Sequence, residues 1–471
     1  MNSKAASFIK NFSYTIASNL ISLVVSTVVI LIVPKLIGID DYGYWQLYLF
    51  YISYVGFLHF GWNDGIYLRY GGKQYSELNE KLFFSQFYML FFFQIFVAII
   101  LFTSARFIIK DDNKLFIIEM VACGLILLNT RYMLLYILQA TNRIKDYSQI
   151  IIMDRLVYIL LLLSFLAFGI RDYKLMIIAD LIGKLVALIY SIYCCKNIIF
   201  LKISSFFLSF SETKENINVG IKLMFSNMAS ILIIGVVRFG IEQNWDVETF
   251  GKLALTLSIS NLMMLFINAV GIILFPILRR TDVGKLSNIY CVMRDVLMVM
   301  LLGVLIINFP LKFVMTAWLP EYSDSLIYMT LVFPMFIYEG KMALLINTFL
   351  KTMRKEKQML RINIISLMLS ILVTILTSLV FKNLDLAILS IVMILAFRCV
   401  LAEIFISKLL GISLTKDILL EIMLTLIFVL AGWFINSWIA VLIYTFAYLI
   451  YLIIKRNDIS ITMKNFKLLM K

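Results

Sequence analysis

The sequence predicts an all-α integral membrane protein with about fourteen transmembrane helices. Of its 471 residues, 62% are hydrophobic and 15% are charged, and the mean hydropathy is +0.97. Soluble domains are only about 45–50% apolar. Apolar runs of about 18–24 residues recur from end to end, which is the length that spans a bilayer. Because these runs do not alternate polar and apolar residues, they predict helices rather than the strands of a barrel.

The apolar runs form two groups of six and a final pair. The first group is expected near residues 12–33, 44–61, 82–102, 115–138, 150–170 and 174–195. A polar-interrupted segment, 196–218, follows. The second group is expected near 219–240, 250–274, 291–314, 326–350, 361–381 and 384–407, and the final pair near 418–434 and 438–454. The run 12–33 is too long for the core of a signal peptide, so we expect it to remain as the first helix.

The distribution of basic residues predicts the orientation. With the N-terminus inside, 27 of the 42 Lys and Arg fall in cytoplasmic segments, 10 on the opposite side and five inside helices. Cytoplasmic segments of membrane proteins are enriched in these residues. Both termini are therefore predicted to lie in the cytoplasm. The same bias accounts for the net charge of +14 through contact with anionic lipid, so we expect no nucleic-acid partner.

An internal repeat is visible at an offset of 208 residues. Residues 15–51 laid on 223–259 give eight identities in 37 positions, including Asn19 with Asn227 and Gly43 with Gly251. Each half then contains six helices and enters the membrane in the same direction, as parallel repeats do. The sequence predicts one lobe in residues 1–200, a second in 201–410, and an extra helix pair with a basic cytoplasmic tail in 411–471.

Motifs for nucleotide, metal or nucleophilic chemistry are missing from the sequence. The dipeptide Gly-Lys occurs five times and is never followed by Ser or Thr, so there is no P-loop. His59 is the only histidine, which excludes catalytic triads and zinc sites that need this residue. We assign His59 to interfacial packing. We expect no catalytic residue, cofactor, metal or nucleotide.

Charged residues inside the helices are the candidate functional residues, because a charge in the bilayer is costly and usually faces a cavity or a partner. The candidate substrate-binding cations are Arg131, Arg155, Lys184, Arg238, Lys341 and Arg398. The candidate coupling or gating residues are Asp64, Arg69, Glu119, Asp154, Asp180 and Glu339. The excess of cations at depth favours an anionic substrate such as a phosphate or diphosphate.

Pairing or snorkelling is the alternative for each of these residues. Asp180 and Lys184 are four residues apart and are expected to pair. Arg398 is the strongest candidate for a cavity cation, because Glu403 is poorly placed to pair with it on one helix. Lys341 is weaker, since another helix could supply a partner.

A glycine-rich segment, Phe60–Lys73, is expected as a cytoplasmic loop between the second and third helices. Its four glycines permit an irregular backbone, and Asp64 could pair with Arg69. A gate and a plain structured loop are both compatible with this composition.

Three features resemble one family: the repeat, the pattern Gly38-Ile39-Asp40-Asp41-Tyr42-Gly43 with its echo at 247–251, and the segment Gly61–Lys73. Together they resemble the Wzx-type O-antigen flippases of the multidrug/oligosaccharidyl-lipid/polysaccharide exporter superfamily. The resemblance implies two six-helix bundles in a V around a cationic cavity. It implies an undecaprenyl-diphosphate-linked oligosaccharide substrate, moved to the periplasmic leaflet of a bacterial inner membrane for lipopolysaccharide synthesis. It also implies contacts with membrane lipids and with a polysaccharide polymerase. The extra helix pair is similar to that of the lipid II flippase branch.

Two other functions remain open. A drug/cation antiporter of the same superfamily would favour acidic rather than basic residues at depth. A membrane polymerase or glycosyltransferase would need a sizeable extramembrane loop, whereas the predicted outer connections are all short.

The predicted topology can be tested by cysteine labelling in a cysteine-free background. Single cysteines at Lys355 and Asn465 should react with a membrane-impermeant maleimide only after the membrane is opened. Labelling of either position in intact cells would contradict the fourteen-helix arrangement.

Overall fold

The structure is a computed structural model that describes residues 3–279, 286–435 and 437–458. Within these residues it is helical and contains no β-strand. Eleven helices are long and apolar enough to cross a membrane, and one shorter apolar helix, Trp438–Ile454, follows them. Within the described residues, the helical content and these apolar helices confirm the predicted fold class of an all-α membrane protein.

The first helices are joined by short connections. In chain order they are α1 (Ser3–Leu36), α2 (Ile39–Ile52), α3 (Trp62–Tyr70), α4 (Glu80–Ile108), α5 (Asp112–Ala140), α6 (Ile144–Ala167), α7 (Tyr173–Cys194) and the single turn α8 (Lys196–Ile199).

The remaining helices are, in chain order, α9 (Phe210–Asn244), α10 (Val247–Arg279), α11 (Leu286–Trp318), α12 (Met329–Thr352), α13 (Glu356–Val380), α14 (Leu384–Leu410), α15 (Thr415–Ile435) and α16 (Trp438–Ile454). α10 is a further segment long enough to span a bilayer, at 33 residues.

The chain divides into two compact units, residues 1–228 and 229–471. The dividing point falls inside α9, so the first half of this helix packs with the first unit and the second half with the other. α9 is thus the element through which one unit continues into the next.

Helix ends reproduce the 208-residue offset of the repeat. α1 ends at Leu36 and α9 ends at Asn244. α2 begins at Ile39 and α10 begins at Val247. The turn that carries the paired Gly43 and Gly251 patterns therefore occupies the same place in both units.

The second membrane crossing is broken, and the predicted helix 44–61 is wrong in this respect. α2 ends at Ile52, a 3₁₀ turn covers Val55–His59, and α3 continues to Tyr70. Phe60 and Gly61 both have positive φ, 52° and 82°, which interrupts the helix. The segment predicted as a loop is therefore mostly helical, and α2 and α3 form one discontinuous crossing.

Amide side chains from neighbouring helices satisfy the backbone groups that the break leaves open. Asn129 of α5 donates from Nδ2 to the carbonyl of Val55 at 2.9 Å, and Gln94 of α4 donates to the carbonyl of Leu58 at 3.4 Å. Asn63 of α3 donates to the carbonyl of Asn129 at 3.0 Å. Because unpaired carbonyls are costly in a membrane, these amides fix the position of the break.

α6 begins at Ile144, six residues earlier than predicted. Arg155 is eleven residues from that start, or about 16 Å along the helix. The predicted helix 150–170 put Asp154 and Arg155 within its first two turns. The structure instead places them in the middle of the helix.

Glycines bring α3 into backbone contact with the first half of α9. A Cβ atom added at Gly65 would overlap the carbonyl of Asn216, and one added at Gly220 would overlap the carbonyl of Gly61. A Cβ at Gly61 would overlap the backbone of Ile221. Small residues permit such close helix crossings in membranes. We call this contact the glycine crossing.

Replacing Gly65 with Ala should weaken the glycine crossing, because the added methyl group meets backbone rather than a movable side chain. Overpacking of this kind costs about 1–3 kcal/mol. The melting temperature of the purified protein should fall by several degrees. Gly56→Ala is the matched control, since a Cβ at Gly56 has no atom within 4 Å. Equal melting temperatures for the two variants would contradict the close contact.

Candidate functional site: charges inside the helices

The first unit contains two buried ion pairs, one between α5 and α6 and one within α7. Arg131 Nη1 lies 2.8 Å from Asp154 Oδ2. Lys184 donates to Asp180 on the next turn of α7, and the hydroxyl of Tyr48 donates to the same carboxylate at 2.6 Å. All four charged side chains are at most 10% exposed. The expected Asp180–Lys184 pair is confirmed.

In the second unit, a larger network joins four helices. Arg294 of α11 lies 2.6 Å from both Glu403 of α14 and Glu421 of α15. Lys341 of α12 lies 2.5 Å from Glu403 and 2.6 Å from Glu421. The side chains are 1–5% exposed. Two cations and two carboxylates thus neutralise one another away from lipid; we call them the four-charge network.

The four-charge network continues to the end of α16. Asp417 is 3.5 Å from Arg294 and 2.8 Å from Lys455, which also lies 3.0 Å from Asp295. Burial alone lowers the pKa of the Lys455 ammonium, but hydrogen bonds to Asp417 and Asp295 outweigh burial and raise it above its usual value. The ion pairs therefore fasten the last two helices to α11, α12 and α14.

Arg398 has partners on three other helices. Its guanidinium donates to Glu339 of α12 at 3.0 Å, to Asn363 of α13 at 3.0 Å and to Ser230 of α9 at 2.7 Å. As expected, Glu403 on its own helix does not pair with it. Reasoning from one helix did not identify Glu339, which supplies Arg398 with an acidic partner from a neighbouring helix.

Arg155 differs from the other predicted cations. Its side chain is exposed, and within the described residues it makes no hydrogen bond or ion pair. The exposed apolar residues of α6, Met153, Leu156, Leu160 and Leu163, recur every three or four positions and form one stripe. Helical geometry places Arg155 about 120° from the centre of that stripe in one direction and the buried Asp154 about 140° from it in the other. Arg155 is thus accessible without belonging to the lipid-facing stripe.

Arg69 joins α3 to the first turns of α9, rather than pairing with Asp64 as expected. Arg69 Nη1 lies 2.5 Å from Glu212 Oε1, and Nη2 lies 2.8 Å from Glu215. The hydroxyl of Tyr70 also donates to Glu212 at 2.7 Å, and Arg69 donates to Asn216. These contacts, which we call the arginine latch, lie next to the glycine crossing. Their carboxylates are 17% and 60% exposed.

The other predicted residues have local partners. Asp64 Oδ2 lies 3.6 Å from Nε2 of the buried His59, within the broken crossing. Glu119 lies 2.8 Å from Arg106 of α4. The guanidinium of Arg238 lies over the ring of Phe250, 5.2 Å from its centroid. Within the described residues, no three His, Cys, Asp or Glu side chains come together as a metal site would require.

Sequence reasoning missed the charges that α15 contributes. Its start was expected near residue 418, which placed Glu421 at the membrane surface. The helix in fact begins at Thr415, and the carboxylate of Glu421 is buried. Arg294 was missed for the same reason, because its helix was expected to begin at 291. The spacing of Asp417 and Glu421, four residues apart on one helix face, was an available signal.

Comparison with solved structures places this fold among known transporters. The chain resembles the lipid II flippase MurJ in an inward closed conformation, with a TM-score of 0.63 and 15% identity over 95% of this chain and 99% of that one. It also resembles an inward-facing multidrug resistance MATE family transporter of the MOP superfamily, with a TM-score of 0.51 and 13% identity over 82% and 92% of the two chains.

A third similar structure is a MOP superfamily transporter from Pyrococcus furiosus, described by the reversed polarity of its binding pocket. Its TM-score is 0.50, with 11% identity over 86% of this chain and 94% of that one. No protein-family model and no curated protein matches the sequence. The chain therefore has the fold of MOP superfamily transporters.

Replacing Lys341 with Met should destabilise the protein strongly. The change leaves two buried carboxylates to share Arg294, and breaking a buried pair in this way costs about 3–5 kcal/mol. The double variant Lys341→Met, Glu421→Gln keeps one cation and one carboxylate, so it should recover most of the lost thermal stability. The measurement is the melting temperature in detergent. A single variant as stable as the parent would show that the four-charge network contributes little.

Proposed function

We propose that this protein is a flippase for an undecaprenyl-diphosphate-linked oligosaccharide, such as an O-antigen repeat unit. It would move this substrate from the cytoplasmic to the periplasmic leaflet of a bacterial inner membrane, with both termini in the cytoplasm. Two six-helix lobes, residues 1–200 and 201–410, would alternate access to the two sides. The observation that carries the proposal is the likeness to the lipid II flippase over nearly the full length of both chains.

The last helix pair favours a lipid-linked substrate over a drug. Residues 415–471 are 57 of 471, about 12% of the chain. The flippase likeness leaves out only 5% of this chain, so it extends into the pair, whereas the MATE transporter likeness leaves out 18%. The ion pairs of Glu421, Asp417 and Lys455 attach the helices α15 and α16 to the second unit.

Arg155 is the residue that we propose for contact with the substrate diphosphate. Arg131, Lys184, Lys341 and Arg398 each have a carboxylate partner within 4 Å, and displacing such a partner would leave an acid unpaired. Arg155 requires no such displacement, and its planar guanidinium matches two phosphate oxygens. The four paired cations would instead hold the helices in place.

The arginine latch and the glycine crossing support a cytoplasmic gate. Under the predicted orientation the arginine latch lies near the cytoplasmic ends of α3 and α9, and the glycine crossing follows it toward the interior of the membrane. Partly exposed ion pairs contribute only about 0–1 kcal/mol, far less than buried ones. The Arg69–Glu215 pair can therefore separate at lower cost than the four-charge network. The break at residues 53–61 supplies a hinge for α3.

The proposed role of Arg155 can be tested by reconstituting the protein in liposomes with a fluorescent lipid-diphosphate oligosaccharide. Arg155→Gln should reduce translocation about tenfold or more, because a charge-assisted hydrogen bond contributes about 1.5–3 kcal/mol. Arg155→Lys should retain more activity, since lysine keeps the positive charge but lacks the planar guanidinium that can donate to two phosphate oxygens.

Arg171→Gln is the matched control, because Arg171 is an exposed arginine just beyond the end of α6. It should translocate at the parental rate. Normal translocation by Arg155→Gln at equal expression would exclude this residue as the diphosphate contact. Absence of translocation by the unmodified protein would instead count against the flippase function itself.

A further inference from the structure

The connection between α7 and α9 carries an unusual run of exposed apolar side chains. Phe200, Ile203, Leu208 and Phe210 are 71%, 87%, 63% and 65% exposed, and Phe206 and Phe207 are 37% and 45% exposed. A connection bathed in water would be expected to expose polar residues instead. Residues 200–210, which we call the elbow, therefore need a covering surface.

Hydrogen bonds to α4 hold the elbow in a fixed position. The backbone N–H of Phe207 donates to the hydroxyl of Ser85 at 3.1 Å, and Gln86 donates to the hydroxyl of Ser209 at 2.7 Å. Just before the elbow, Ile198 and Ile199 are buried in the core of the first unit. The elbow is thus attached along one side, and its apolar side chains project from the other.

Basic residues accompany the apolar ones. Lys196, Lys202 and Lys214 are all exposed. With Arg69, which pairs with the nearby acids Glu212 and Glu215, these lysines make four positive charges against two negative ones. The free charge around the elbow is therefore positive. Apolar residues mixed with lysines match the boundary of a membrane whose headgroups are anionic.

The flanking helices place the elbow at that boundary. α7 ends at Cys194 and α9 begins at Phe210, and both are long apolar helices whose surfaces include exposed side chains such as Ile189 and Phe225, at 58% and 49%. The elbow continues this lipid-facing surface at the end of α7 that the charge distribution assigns to the cytoplasm.

We propose that the elbow is immersed in the inner leaflet, with Phe200, Ile203, Leu208 and Phe210 below the headgroups and the lysines among the lipid phosphates. It then anchors the first unit at the membrane surface, immediately before the α9 residues of the arginine latch. The partner is the anionic lipid surface itself, rather than a soluble protein.

Spin labels in a cysteine-free background test this immersion. Single cysteines replace Ile203 and Leu208, and Ser76→Cys is the control, since Ser76 is exposed in the connection between α3 and α4 on the same predicted side. In liposomes containing anionic lipid, labels at 203 and 208 should be more accessible to oxygen than to a water-soluble nickel complex. The expected depth is about 5–10 Å below the phosphates. The label at 76 should show the opposite preference.

Labels at 203 and 208 that react to the nickel complex as strongly as the label at 76 would overturn the proposal. Because the liposomes contain only the purified protein and lipid, no soluble protein can shield these labels from the nickel complex. The role of charge is tested with Lys202→Gln, Lys214→Gln, which should bring the labels closer to the surface in anionic liposomes. If the labels at 203 and 208 keep the same depth in that variant, the lysines do not contribute to membrane binding.

Discussion

Charge neutralisation inside the helix bundle is the constraint on which this structure depends. An isolated charge at the centre of a membrane helix costs about 2.5–3.5 kcal/mol on insertion scales. This chain carries many such charges, and most of them meet an opposite charge on another helix. Arg294, Lys341, Glu403 and Glu421 come from four helices and neutralise one another at 2.5–2.6 Å. The packing of the second unit is therefore fixed by complementary charge as well as by shape.

The buried ion pairs and the arginine latch differ in how easily they can be broken. This difference supports a structural role for the buried pairs and a gating role for the latch. Arg294 and Glu403 are 1% exposed, so separating them would leave bare charges in a medium of low dielectric. Glu215 of the arginine latch is 60% exposed, so water can replace its partner. The glycine crossing beside it consists of close backbone contacts at Gly61, Gly65 and Gly220. A conformational change would therefore separate α3 from α9 and leave the buried networks unchanged.

Hydropathy alone predicted most of the fold, because the cost of exposing polar backbone to lipid permits few alternatives. Residue identities, rather than hydropathy, identified the 208-residue repeat, whose helix ends recur at Leu36 and Asn244. Hydropathy did not predict the broken second crossing, since the composition of residues 44–61 does not mark where Phe60 and Gly61 adopt positive φ. The candidate site was predicted less well. The position of Lys341 and Arg398 along their helices showed that both charges lie inside the membrane. The sequence of one helix does not show which residues of other helices pack against these side chains. Arg155 lies further along its helix than the predicted range 150–170 indicates, because α6 begins six residues earlier.

The separation of α3 from α9 is the central claim, and an EPR distance measurement tests it most directly. Spin labels at Leu68→Cys and Lys214→Cys, both exposed positions, report on the two sides of the contact. In liposomes the labels should show two distances, a short one with α3 and α9 in contact and a long one with the helices apart. A lipid-linked diphosphate oligosaccharide should change the proportion of the two. A second pair at Met300→Cys and Leu449→Cys, on α11 and α16, should keep one distance throughout. A single unchanging distance between 68 and 214 under all conditions would contradict the account.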